Sequence, residues 1–187
     1  MVAGGHRGGG RMRTSRVPRA LAAAVLLLSA AAWAAPFAAQ ADKPVSVQVL
    51  HITDGDTLWV KPLPAGRRTK VRIEGIDAPE LCQAGGPAAQ AALRRWAEQG
   101  PLRITVTGRD QHGRVLARLH SGPSDVGEAM VREGQAWSYR FGDDPGPYAP
   151  QEQLARQGKK GLHAQPGAMH PRDFRRRHGS CEAAHRP

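Results

Sequence analysis

The chain has 187 residues, 27 Lys and Arg against 16 Asp and Glu, a net charge of +11 and only two cysteines. Two lone cysteines and scattered histidines, with no Cys-x-x-Cys pair, exclude a Cys/His zinc module. The basic balance suits an anionic partner such as nucleic acid or a membrane surface, and is equally compatible with charge that only keeps the protein soluble.

Arg7, Arg11, Arg13, Arg16 and Arg19 precede an apolar run, Ala20 to Ala35, and Ala39-Gln40-Ala41 follows it. A basic segment, a short apolar run and a small-residue site form the pattern of a secretory signal peptide, with Asp42 as the expected mature N-terminus. The run is short for a membrane span, so cleavage is expected to leave no stable membrane anchor. Five arginines and no acid lie in residues 1–41, so the remaining 146 residues carry +6 of the charge. That length suits one domain with one core. Cys82 and Cys181 both lie in it, and an exported chain permits a disulfide between them; two free thiols are the alternative.

Val45 to Ile52 is β-prone, with Val45, Val47, Val49 and His51 on one face. Asp54-Gly55-Asp56 breaks it as a turn, and Thr57 to Lys61 resumes a strand. After a loop rich in Pro and Gly, Thr69 to Ile76 reads as a third strand. Pro87 to Gln99 is a helix, with Ala89, Leu93 and Trp96 on one face and Gly100-Pro101 as its stop. Leu102 to Thr107 and Val115 to Leu119 are strands on either side of a Gln111-His112-Gly113 turn. Asp125 with Glu128 resembles a capping box that opens a short helix to Glu133. Tyr148-Ala149-Pro150 starts a third helix running to about Lys159. From Pro166 the chain is rich in Pro, Arg and His, and is expected to be extended or mobile unless Cys181 anchors it. Its run from Arg172 to Arg177 can track a phosphate backbone or simply lie in solvent. This order fits an α+β, mainly β fold: a five-stranded barrel with three flanking helices, over residues 42–165, followed by a basic tail, 166–187.

The chemistry concentrates in three loops. Asp56 and Asp77 are candidate ligands for a hard cation, with the Ala78 carbonyl as a third oxygen; all-oxygen ligation points to Ca²⁺, with Mg²⁺ second. An Asp-Gly-Asp turn can also spend its side chains on local backbone. Arg72 lies in a strand that otherwise wants apolar residues, so it either turns inward to meet anions or stands in solvent. Arg72 and Asp77 have opposite strand parity, and a bulge at Gly75 would return them to one side. Glu80, stiffened by Pro79, can activate a water or lie on the surface. Arg114 follows Gly113 in a tight turn, where it either reaches over a site or is solvated. Tyr139 and Tyr148 can stack on bases or pack internally.

As an ordered set, Asp54-Gly55-Asp56-Thr57, Arg72, Gly75-Ile76-Asp77-Ala78-Pro79-Glu80 and Asp110-Gln111-His112-Gly113-Arg114 resemble the thermonuclease family, the staphylococcal-nuclease-like domains. Ala129 to Gly134 and Gly161-Leu162 extend the likeness, which spans about Val45 to Ala164. The resemblance implies an OB-type barrel and a Ca²⁺-dependent endonuclease acting on DNA and RNA. In its terms Asp56, Asp77 and the Ala78 carbonyl bind Ca²⁺, Glu80 activates water, and Arg72 and Arg114 grip the phosphate, giving 3′-phosphate ends. Ala78 stands where Thr is common, which a backbone ligand tolerates; His112 stands where Tyr is common and His163 where Trp is frequent, which bears on substrate contacts. The rival is an OB barrel that holds single strands without cutting them. Asp56, Asp77 and Glu80 weigh against it, since acids facing a polyanion repel it unless a cation sits among them. The expected product of the chain is an exported, monomeric enzyme.

Overall fold

The computed structural model describes residues 1, 4, 5, 43–179 and 181; the expected signal peptide, residues 1–41, lies outside the described residues apart from its first few positions. All elements below belong to the unit that starts at residue 36. In chain order they are β1 (Val45–Ile52), β2 (Thr57–Pro62), β3 (Thr69–Ile73), β4 (Ile76–Asp77), α1 (Gly86–Glu98), β5 (Leu102–Arg109), β6 (Val115–Ser121), β7 (Ser124–Asp125), α2 (Val126–Arg132), β8 (Trp137–Ser138), α3 (Ala149–Gln157) and α4 (Pro171–His178).

The strands run β3-β2-β1-β5-β6 as antiparallel neighbours. A parallel pairing of β3 with β6, Val71 opposite Val115 and Ile73 opposite Ala117, closes the sheet on itself. The result is the five-stranded OB-type barrel, mainly β with helices outside, and closure removes the open edges. Leu58, Val60, Val71, Ile73, Ile104, Val115 and Leu119 fill it with almost no exposure, and Ala89 and Leu93 of α1 and Met130 of α2 join the same core. Burying a side chain such as Leu93 stabilises by about 1.5–3 kcal/mol.

Two departures from regular pairing place the site. A shift in the β1–β2 register between Val49 and His51 changes the parity of the strand. Ile52 therefore turns into the core while His51, expected on the apolar face, is exposed. The second is at Gly75. The expected single strand through Ile76 ends at Ile73, and Gly75, at φ 80°, makes a turn. The chain then pairs again as β4 with β8, Ile76 opposite Ser138 and Asp77 opposite Trp137. A turn, rather than a bulge within one strand, brings Asp77 back toward Arg72.

The helices follow the sequence closely at α1, α2 and α3. The Asp125 side chain accepts from the Glu128 backbone N–H at 3.0 Å and caps α2, whereas the Glu128 carboxylate faces Arg132 at 3.4 Å. Tyr148 is packed against the core, its hydroxyl donating to Asp125 at 3.0 Å; burial first, then Asp125, push its pKa up. Glu152 of α3 is buried and holds β8: it accepts from Ser138 N at 3.0 Å and from Arg140 at 2.5 Å and Arg156 at 2.6 Å. The largest difference is at the C-terminus. Cys181 is bridged to Cys82 across a Cα separation of 5.7 Å, and the anchored stretch contains a fourth helix, α4, where three helices were expected.

Candidate active site

Asp54-Gly55-Asp56 turns the chain between β1 and β2. Asp54 Oδ1 accepts from the Asp56 backbone N–H at 3.0 Å, which fixes the turn. Gly55 is required by space, since a Cβ there would meet Ala89 Cβ at 2.6 Å and Ala78 Cβ at 2.7 Å. The turn thereby rests on α1 and on the loop after β4, so two acidic loops share one wall. Asp56 accepts from Thr57 Oγ1 at 2.9 Å through Oδ1 and from the Ala78 backbone N–H at 2.9 Å through Oδ2.

Arg72 turns inward, and its side chain is 14% exposed. Its Nη1 donates to Asp56 Oδ1 at 2.6 Å, and its Nη2 to Asp77 Oδ1 at 3.1 Å and the Ile76 carbonyl at 3.2 Å. One planar guanidinium thus ties the first acidic loop to the second, a role its forked donors suit and a Lys would fill less well. Burial opposes its charge, but Asp56 and Asp77 outweigh burial and push its pKa up. Asp54 stands at the other end of the balance. Burial first, then the Asp56 charge, push its carboxyl up to about 7.

Glu80 lies beyond Asp77 with its side chain 17% exposed. The Gln83 side chain holds this loop, taking the Glu80 N–H at 3.2 Å and donating to the Met169 carbonyl at 2.6 Å. Glu80 Oε1 accepts from Arg175 Nη1 of α4 at 2.9 Å. Arg175 also pairs with Asp77, Nη1 to Oδ1 at 3.2 Å and Nη2 to Oδ2 at 3.1 Å. His170 Nδ1 stands 3.9 Å from Asp77 Oδ2, and burial lowers the pKa of this imidazole. As they stand, these acids face guanidinium groups, and among the described residues no three His, Cys, Asp or Glu side chains form a ready cage for a metal.

The structure brings together Asp56, Arg72, Asp77 and Glu80, with the Ala78 backbone between them. Arg114 is held separately by Asp110, which takes its Nε at 2.6 Å and its backbone N–H at 3.0 Å. Burial opposes the Asp110 charge, but these Arg114 bonds outweigh it and hold the carboxyl below its ordinary value. His112 is exposed on the same turn. Tyr139 is 44% exposed and its backbone N–H bonds the Gly75 carbonyl at 2.8 Å, whereas Tyr148 is committed to packing. Two residues of the cluster were not anticipated: Asp54, visible only as a turn former, and Arg175, in a stretch with no apolar periodicity. The one signal for Arg175 was Cys181, six residues further on.

A closed OB-type barrel thus carries the buried carboxylates Asp56 and Asp77 on the turn after β1 and on β4, joined by Arg72 of β3 and met by Arg175 of α4. The chain belongs to the staphylococcal nuclease homologue family, whose model matches residues 70–165. It is 34% identical over 179 residues to "Protein ParB" of Escherichia coli, covering 89% of this chain and 94% of that protein. It is 32% identical over 170 residues to a micrococcal nuclease of Shigella flexneri, covering 84% and 91%. An uncharacterized endonuclease of Haemophilus influenzae is 34% identical over 131 residues, covering 69% and 72%.

Proposed function

We propose that this chain is an exported, Ca²⁺-dependent nuclease that hydrolyses phosphodiester bonds of DNA and RNA with little sequence preference. The observation that carries the reading is the gathering of Asp54, Asp56, Asp77 and Glu80 around Arg72 in a protein of strongly basic charge. A module that only binds nucleic acid gains nothing from buried acids facing a polyanion.

A divalent cation fits this donor set. Every donor is an oxygen, which suits Ca²⁺ and then Mg²⁺. Asp54, pushed up to about 7 by burial first and then by Asp56, lies beside this donor set. Asp56, Asp77 and the Ala78 carbonyl would hold the ion. Bound there, it supplies positive charge that draws the scissile phosphate and offsets the charge of the transition state.

Glu80 is the carboxylate available to take a proton from the attacking water. The water oxygen forms a bond to phosphorus in line with the 5′ oxygen, the P–O5′ bond breaks, and the 5′ oxygen leaves with its electron pair and gains a proton. The products carry 3′-phosphate and 5′-hydroxyl ends. Arg72 and Arg114 each present planar N–H donors to the phosphoryl oxygens, where charge builds. In the free protein Arg72 is already fixed by Asp56 and Asp77, so its contribution is held in place before substrate arrives. The basic surface steers the polyanion, and the enzyme acts as a monomer in the periplasm or outside the cell.

The test is digestion of single- and double-stranded DNA and RNA with Ca²⁺, with Mg²⁺ and with chelator, with Glu80→Gln as control. Ca²⁺-dependent cleavage that falls by about a hundredfold or more in Glu80→Gln is expected. Salt-sensitive binding without cleavage would replace the enzyme by the binding module.

A further inference from the structure

Asp77 is held by two arginines that differ in kind. Arg72 is built into the barrel wall, 14% exposed, and joins Asp56 to Asp77. Arg175 comes from outside the barrel, its side chain is 34% exposed, and its partners are Asp77 and Glu80. Between them they engage both oxygens of Asp77, and Arg175 alone reaches Oδ2 through a guanidinium nitrogen. A guanidinium is a fixed cation with planar donors, so it and a divalent ion compete for the same oxygens.

The helix that delivers Arg175 is fastened to the acidic loop at several points. The disulfide joins Cys82, two residues after Glu80, to Cys181. Gln83 binds the Glu80 N–H and the Met169 carbonyl, so one side chain links the Glu80 loop to the approach of α4. The His170 ring packs 5.3 Å from Trp137, the residue opposite Asp77 in β8, and its Nδ1 accepts from Arg172 N at 3.3 Å at the start of α4. A group so tethered meets its partner at a high effective concentration without any gain in intrinsic affinity.

We propose that Arg175 is a tethered competitor for the cation seat: it neutralises Asp77 and Glu80 in the free protein, and a divalent cation binds only as Arg175 withdraws. This rests on the metal reading above. Withdrawal is open to Arg175 because its side chain lies at the rim, and closed to Arg72 because that side chain bridges two buried acids. Arg175 thereby sets how much cation the protein needs before Asp77 and Glu80 are released. The opposite role, in which Arg175 holds the two carboxylates ready for the ion, makes the opposite prediction.

The experiment is Ca²⁺ titration by calorimetry, with no substrate, of the wild type, Arg175→Ala, Arg175→Lys, Cys82→Ser/Cys181→Ser and the triple variant combining the cysteine pair with Arg175→Ala. Circular dichroism verifies folding, and Arg175→Lys, which keeps the charge, serves if the Ala variant fails to fold. Ca²⁺ affinity is expected to rise about tenfold in Arg175→Ala and less in Arg175→Lys. Cutting the tether is expected to raise affinity when Arg175 is present and to add nothing when it is absent, because the tether acts through Arg175. Unchanged or weaker binding by Arg175→Ala overturns the competitor while leaving the metal reading standing. An equal effect of the cysteine pair in both backgrounds overturns the tether's part. Absence of Ca²⁺ binding in every variant overturns both.

Discussion

Arg72→Met is the sharpest stability test of the site, because it removes the charge while keeping most of the side chain's length. Arg72 donates to Asp56, Asp77 and the Ile76 carbonyl, and its side chain is only 14% exposed, so solvent replaces little of what is lost. Removing one partner of a buried ion pair costs about 3–5 kcal/mol. The lower end applies here. Asp77 keeps Arg175, while Asp56 keeps only the neutral donors Thr57 and Ala78 N–H. The pH dependence has a definite sign. Asp54 sits at about 7 in the folded protein against an ordinary value of 3.8. The folded state therefore gains from its proton at low pH and loses that gain as pH rises through about 7. Without Arg72 the cation that favours the ionised form of Asp54 is gone, so the interaction lost is largest where Asp54 is ionised and smallest where it is protonated. The cost is expected to be about 3 kcal/mol at pH 8, shrinking to about 1 kcal/mol at pH 5. In urea, with a slope of about 1.5 kcal/mol/M, this is a midpoint shift of roughly 2 M at pH 8. A loss below about 1 kcal/mol at pH 8, or a cost that grows as pH falls, would refute the reasoning.

Arg114→Lys should lower kcat by about a hundredfold without a matching loss of stability, because Asp110 already occupies Nε and the proposed phosphate contact falls to the Nη edge, which Lys lacks; near-wild-type turnover would remove Arg114 from the phosphate. Glu152→Gln should cost about 1–2 kcal/mol at pH 7, discounted because its arginine partners are about half exposed. Burial works against the Glu152 charge, but Arg156, the Ser138 N–H and Arg140 outweigh it and hold the carboxyl below its ordinary 4.5. That contribution is present above 4.5 and lost as pH falls through the lower folded value, so thermal unfolding curves of Glu152→Gln and wild type should converge in acid.

The barrel was legible because its strands obey simple alternation and its helices carry ordinary stops. β2, β5 and β6 follow their apolar residues, and α1 follows Pro87, Leu93 and Gly100. Legibility failed where one residue changes the geometry. The register shift after Val49 reverses which of His51 and Ile52 faces inward, and no residue there announces it. Gly75 was recognised as the place where parity must change, but only the pairing of Asp77 with Trp137, sixty residues later, makes it a turn. Of the candidate site, the residues grouped by the family resemblance, Asp56, Arg72, Asp77 and Glu80, lie together. The helix α4 was hidden for a different reason. Its stability rests on a disulfide, on ion pairs to Asp77 and Glu80 and on ring packing against Trp137, none of which leaves a 3.6-residue apolar period.

The placement of Asp54 bears on why a basic protein concentrates acids at one end of its barrel. Four carboxylates, Asp54, Asp56, Asp77 and Glu80, act on one another there, with Arg72 and Arg175 as the guanidinium groups that touch them. Two monocations leave negative charge over, and burial first, then the Asp56 charge, push the Asp54 carboxyl up to about 7. If a dication replaced Arg175, as proposed above, the site would gain one positive unit and Glu80 would leave its ion pair. On that proposal, a phosphodiester reaching the site before the exchange would meet residual negative charge and an ion-paired Glu80, and one reaching it afterwards would meet a cation and a free carboxylate. The order of binding expected from this electrostatic balance is cation first, then nucleic acid, and a chelated sample should bind single-stranded DNA more weakly at this site than one supplied with Ca²⁺.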